Sequence, residues 1–154
     1  MLTVVLVEPE IPPNTGNIAR LCSLTGSRLH LVGPMGFSLS DKHCKRAGLD
    51  YWDRLTMTTW KNWNEWIHAH HDRPVHLFTT KSSTPHFQTA FGKDDFLIFG
   101  RESRGLPESL LQQFPEHTVR IPMPQGRGRS LNLATSVAIG LYEALRQTGQ
   151  AEEC

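Results

Sequence analysis

Three polar stretches carry the residues whose types and spacing could do chemistry. From Pro122 to Gly140 the chain reads PMPQGRGRSLNLATSVAIG, with glycine, arginine and small polar residues packed just ahead of a long apolar run. Glycine lets a backbone approach another group closely, and Ser130 and Asn132 offer a hydroxyl and an amide to a helix first turn or to a ligand. The other two stretches are EPEIPPNTGN near the amino end and FGRESRGLP in the middle. Together the three regions supply Asn14, Arg20, Glu102, Ser130 and Asn132, with main-chain donors around Gly100 and from Ile121 to Met123. Such a set suits a polar, adenosine-like ligand held beside a phosphate-bearing substrate. Each residue also has a plain structural role: Asn14 as a helix cap, Arg20 in a surface ion pair, Glu102 as a solvated loop acid, Ser130 and Asn132 as caps.

Other chemistries find less support. No GxxxxGK[ST] is present, and GRGRSL supplies only the first half of a GxGxxG, so neither a P-loop nor simple dinucleotide binding is indicated. There is no GxSxG elbow, and Ser103 has no histidine near it in sequence. Cys22, Cys44 and Cys154 are odd in number, widely separated and free of CxxC spacing, which reads as reduced thiols rather than a disulfide framework or zinc knuckle. The run HAHH at His68 to His71 reads as the solvated end of a helix, and no metal site is expected.

The elements that must position these residues alternate in type. LTVVLVE is a β-branched run of the kind buried on both faces of a sheet, followed by a helix through GNIARLCSLTG with Asn14 or Thr15 as its cap and Gly26 as its stop. RLHLVG reads as a second strand, and SLSDKHCKRAG as a short helix opened by Ser40 or Asp41 and stopped by Gly48. TWKNWNEWIHAHH places Trp60, Trp63 and Ile67 at helical spacing, with the tryptophans assigned to the core, and PVHLFTT follows as a strand. DDFLIFG is a further strand leading into a short helix with Pro107 near its start; HTVRIPM is the last strand. A closing helix runs from about Leu131 to Arg146 with Ala134, Val137, Ala138, Leu141 and Leu145 on one stripe and Gly149 beyond it.

This alternation predicts an α/β fold with a mainly parallel sheet flanked by helices, whose ligands bind beyond the carboxyl ends of the strands. With 154 residues, a single domain over 1–154 is expected. The longest apolar runs, Val4 to Val7 and Phe96 to Phe99, fall far short of a membrane span, and MLTVVLVEPE lacks the basic lead of a secretory signal, so the chain reads as soluble and cytoplasmic. A net charge of +1 gives no general attraction for polyanions, so any nucleic-acid contact must be a local patch. The candidates are Lys42, Lys45 and Arg46 in one segment and Arg127 and Arg129 in the other.

NTGNIARL, FGRESRGLP, and IPM followed by RSLNLATSVAIGLYE resemble, in order and spacing, motifs one, two and three of the SPOUT RNA methyltransferases. The resemblance covers nearly the whole chain. EPEIPPNTGNIARLC and PMGFSLSDKHCKRAGLDYW are most similar to the stand-alone branch that methylates the wobble ribose of tRNA. The resemblance implies a deep carboxyl-terminal trefoil knot, a feature no periodicity argument would propose. It implies S-adenosylmethionine as cofactor, tRNA as substrate, and 2′-O-methylation of the wobble cytidine or uridine, with leucine tRNA as the isoacceptor. Action on another tRNA or rRNA site, or RNA binding without turnover, are the other readings.

Carried over by motif, the implied cofactor cradle is the main chain at Phe78, Gly100, Ile121 and Met123, with Ser130 and Leu131 at the end of the knot loop. Asn14 and Arg20 from motif one, Glu102 from motif two, and Ser130 and Asn132 from motif three are the implied activity residues. An arginine stays protonated, with a pKa above ~12, so Arg20 is read as a phosphate and oxyanion partner rather than as a base. The resemblance further implies a homodimer in which the partner's motif one completes the substrate site, with Ile18, Leu21, Leu141 and Tyr142 at the interface; by pattern alone the same side chains fit a monomer core. Two features depart from the family pattern: Arg101 stands where relatives often have proline, and PQGRGRS is unusually rich in glycine and arginine.

Overall fold

The computed structural model describes residues 1–40, 42 and 49–152. The expected helix ending at Gly48, with Cys44, Lys45 and Arg46, lies outside the described residues, as does Cys154. Six strands, β1 (Thr3–Val7), β2 (Arg28–Val32), β3 (Met57–Trp60), β4 (Val75–Phe78), β5 (Phe96–Phe99) and β6 (Thr118–Val119), form one sheet in the order β3-β2-β1-β5-β4-β6. Every pairing is parallel, and β1 is central, with Thr3 aligned to Arg28 on one side and Phe96 on the other. The expected α/β architecture is therefore present.

Four α-helices are found among the described residues: α1 (Pro12–Thr25), α2 (Trp63–Ala69), α3 (Glu108–Gln113) and α4 (Leu133–Thr148). Val4 and Leu6 pack with Ile18 and Cys22 of α1 and Val137 and Leu141 of α4, while Val5 and Val7 pack with Trp63 and Trp66 of α2 and Leu110 of α3. A strand buried on both faces has to be apolar at successive positions, which is why β1 and β5 read as continuous hydrophobic runs. Burial of Cys22 pushes its thiol up to about 12, keeping it unreactive. Of the residues expected at a subunit interface, Ile18 and Leu141 are fully buried in this core, Leu21 is partly buried, and Tyr142 is exposed.

Several expectations are corrected. Helix α1 starts at Pro12 with Ile11 at its N-cap position and no side-chain cap, so Asn14 lies inside the first turn rather than capping it. Proline is preorganised for exactly such first positions, and two of them move the start forward. Trp60 closes the edge strand β3, and α2 begins only at Trp63, with the Glu65 amide donating to Asn62 Oδ1 (2.9 Å). The helical spacing counted from Trp60 crossed a strand, a turn and a capped helix start; β3, half-exposed along its length, has no apolar run to reveal it. The last strand has two residues: its ladder with β4 ends at Phe78 and Val119, and Arg120 then bonds to Thr84 and His86 beyond that strand. Helix α4 begins two residues later than expected, behind Asn132, whose Oδ1 accepts from the Thr135 amide (3.2 Å), and ends at Gly149 in a left-handed conformation as anticipated.

Gly140 brings α4 close to the sheet, since a Cβ there would lie 2.8 Å from the Phe78 ring. On the other face, His30 is buried among Trp60, Trp66, His70 and Phe96, and its Nδ1 accepts from Trp66 Nε1 (3.0 Å). Burial, and then the nearby His70, Arg28 and Arg73, lowers its pKa from 6.5 to about 4. The unfolded chain therefore binds a proton between pH 6.5 and 4 that the folded chain does not, and this contribution to stability is lost as pH falls through that window. Urea midpoints are expected to fall between pH 7 and 4.5, with a shallower fall in His30→Gln; equal slopes would remove His30 as the cause.

Candidate active site

The strand order reverses between β1 and β5, and the loops after β1, β4, β5 and β6 meet at the carboxyl end of the sheet. This is where a parallel α/β sheet opens a crevice. A cavity of about 530 Å³ lies there, within the range of about 300–1,000 Å³ usual for small-molecule sites.

The loops after β1 and β5 are fastened by three carboxylates. Arg101 donates to Glu8 Oε2 (2.8 Å), and the Ser103 amide and hydroxyl donate to Glu10 Oε1 (3.0 and 2.6 Å). Those hydrogen bonds hold Glu10 below the usual carboxylate pKa. In the opposite direction, Glu102 accepts from the main-chain amides of Glu10 (2.7 Å, Oε2) and Ile11 (3.1 Å, Oε1). Glu102 is thus not a solvated loop acid. It supplies acceptors and negative charge to the amino end of α1, where donors lack intrahelical partners.

From that anchor a polar chain crosses the site. Asn14 Nδ2 donates to Glu102 Oε1 (3.5 Å), and Asn132 Nδ2 donates to Asn14 Oδ1 (3.1 Å). Asn14 is buried, so its amide has to be satisfied internally. Asn14, Glu102 and Asn132, remote in sequence, are therefore in direct contact, while Asn132 also caps α4.

Phe78, Gly100, Ile121, Met123, Ser130 and Leu131 all line the cavity. Main-chain groups of Ile121, Ser130 and Leu131 have no hydrogen-bond partner among the described residues. Unused main-chain donors and acceptors around a cavity of this volume fit an adenosine-bearing cofactor such as S-adenosylmethionine. Gly100 has a steric reason to be glycine: a Cβ would fall 2.1 Å from the main chain of Gly105 and Leu106, which the Arg101–Gly105 hairpin folds back against it.

Arg20 does not line the cavity. It is exposed on α1, six residues beyond Asn14, which places it about 9 Å farther along the helix and on another face. Arg101 and Arg129, which the sequence had singled out, line the cavity; sequence reasoning passed over Thr79, Thr80 and Lys81 after β4, and Arg104, which line it too. Their signal was topological: Thr79 to Lys81 follow a strand at the same end of the sheet as the recognised loops. Lys81 is paired with Glu108 (2.7 Å). Among the described residues no three histidine, cysteine or acidic side chains converge as metal ligands.

Comparison with known proteins matches residues 1–142 to the SpoU rRNA methylase family. A tRNA (cytidine(34)-2′-O)-methyltransferase of Methylovorus glucosotrophus is 54% identical over 148 residues, covering 96% of each chain. A solved structure described as giving insight into 2-OH methylation of C/U34 on tRNA superposes with a TM-score of 0.91 at 44% identity, covering 96% of this chain and 95% of that one. The SpoU methyltransferase AviRb of Streptomyces viridochromogenes, solved with AdoMet, has a TM-score of 0.82 at 27% identity, covering 96% of this chain and 60% of that one.

Gly100→Ala is expected to force the hairpin outward, because main-chain atoms cannot rotate away as a side chain would. Overpacking of this kind costs about 1–3 kcal/mol. Calorimetry with S-adenosylmethionine should show affinity reduced about tenfold or more, alongside a lower Tm; wild-type affinity would place the cofactor elsewhere.

Proposed function

The chain belongs to the SpoU rRNA methylase family, and from that premise we infer that it transfers a methyl group from S-adenosylmethionine to the 2′-oxygen of the wobble nucleotide, cytidine or uridine, of tRNA. The observation that carries this reading is the meeting of Asn14, Glu102 and Asn132 beside a cavity lined by all six residues assigned to the cofactor. Membership of the family implies the trefoil knot, in the carboxyl-terminal segment that includes the loop before α4. A single domain spans residues 1–154.

When bound, the cofactor supplies an activated methyl group on a sulfonium. The chain has to hold that group in line with a ribose hydroxyl and exclude other nucleophiles, so positioning supplies much of the rate. Main-chain groups of Ile121 and Leu131 and the Met123 amide would hold the adenosine portion, with Phe78, Gly100 and Ser130 shaping the cavity. Glu102 braces the amino end of α1 and orients Asn14. Both its oxygens already accept main-chain amides, which leaves it poorly placed to take the hydroxyl proton.

Arg20 acts at the ribose and its neighbouring phosphate, stabilising the negative charge that develops on the attacking oxygen. Its place outside the cavity of its own chain supports a homodimer in which motif one of each subunit serves the partner's site. Exposed Tyr142 on α4 and Leu24 on α1 give that pairing apolar surface. A cytoplasmic location follows from the substrate, and no helix among the described residues is long and apolar enough to cross a membrane.

The direct test is incorporation of labelled methyl from S-adenosylmethionine into total tRNA from cells lacking this protein, followed by nuclease mapping. Label is expected in a 2′-O-methylated wobble dinucleotide of leucine tRNA; label at another tRNA or rRNA position would change the substrate, and none at all would leave an RNA-binding factor. Arg20→Ala is expected to keep cofactor affinity while losing about 100-fold or more in methyl transfer. Glu102→Gln, which presents a donor to main-chain donors, should lower Tm and activity together with an unchanged pH–rate profile; lost activity at wild-type Tm would make Glu102 the base.

A further inference from the structure

A second cavity, of about 270 Å³, opens at the same end of the sheet. Glu8 lines it, and Glu8 is paired through Oε2 with Arg101, which lines the cofactor cavity, so an ion pair links the two linings. Glu8 is also the one non-glycine residue at positive φ (52°) among the described residues. Strain of this kind clusters where a fold clamps a ligand.

The lining is apolar below and polar at the edges. Val7, Trp63 and Leu110 are buried and form its floor, with Pro34 and Pro107 as walls. Gln113 Oε1 accepts from Trp63 Nε1 (3.3 Å), which leaves the Gln113 Nε2 donors unused. Asn62 Oδ1 is engaged with the Glu65 amide, which leaves its Nδ2 donors, and the side chains of Asn64 and Ser109 have no hydrogen-bond partner among the described residues. Glu8 Oε1 remains as an acceptor.

The lining holds no lysine, arginine or histidine to pair with a phosphate, and the volume is small for a whole cofactor. It matches the edge of a nucleobase carrying an exocyclic amino group beside a ring nitrogen. The amino group would donate to Glu8 Oε1, the ring nitrogen would accept from Gln113 or Asn62, and the flat apolar face would lie on the floor. Single-stranded RNA loops are recognised in this way, by bases turned out of the stack and read along their edges.

Resting on the function proposed above, we propose that this cavity holds an unstacked, amino-bearing base next to the wobble nucleotide, and so selects the tRNA whose ribose is presented to the methyl donor. Two variants test it: Gln113→Glu removes the Nε2 donors while keeping an acceptor for Trp63 Nε1, and Ser109→Trp, at an exposed position, fills the space without touching the core. KM for tRNA is expected to rise about tenfold in both, with KM for S-adenosylmethionine and Tm unchanged. A tRNA made abasic beside the wobble position should lose the same factor with the wild-type protein and nothing further with either variant. Wild-type KM for tRNA in Ser109→Trp, or an abasic penalty that persists undiminished in the variants, would overturn the proposal. Absence of methyl transfer by the wild-type protein would instead overturn the function on which it rests.

Discussion

The site depends on one carboxylate. Glu102, at the carboxyl end of β5, reaches across to the amino end of α1 and accepts from the amides of Glu10 and Ile11. The two prolines that open the helix carry no amide donor and Asn14 and Thr15 donate to the Ile11 carbonyl, so the amides left to satisfy are those of Glu10 and Ile11 just ahead of it, beside the partial positive charge of the helix start. An acceptor from a loop more than ninety positions away resolves that locally and fixes the loop after β1 against the loop after β5. Asn14 is then held by Glu102, and Asn132 by Asn14, so the angle at which α1 enters governs where the third motif sits.

The parallel sheet explains why such distant segments can meet. Each strand delivers its following loop to the same end, and the reversal of order between β1 and β5 separates neighbouring loops enough to leave a cavity. Close backbone packing at Gly100 and close helix-to-sheet packing at Gly140 set its walls. The chemistry asked of the cavity is positioning, and walls made of main chain are well suited to it because they move less than side chains do.

Charge is distributed to match. The chain is nearly neutral, and two basic groups at the site are already spoken for: Arg101 by Glu8 and Lys81 by Glu108. Long-range attraction for RNA is correspondingly weak, which places more of the recognition on shape and on short-range hydrogen bonding. The second cavity, with its carboxylate and amides over an apolar floor, fits that division of labour.

What the sequence determined by itself was what is local or periodic. The runs TVVLV and FLIF are strands because two-sided burial demands unbroken apolar residues, and Gly26 and Gly149 end helices because a left-handed residue is needed there. The motif residues could be named from their order, and every one assigned to the cofactor lines the cavity. Tertiary structure alone decided their partners. Asn14 is a bridge rather than a cap, Glu102 is a brace rather than a free acid, Trp60 belongs to an edge strand, and Arg20 lies outside its own chain's cavity. The physical reason is that the amides at and ahead of a helix start can be met by a nearby side chain or by a carboxylate distant in sequence, and only the folded arrangement of loops selects between them.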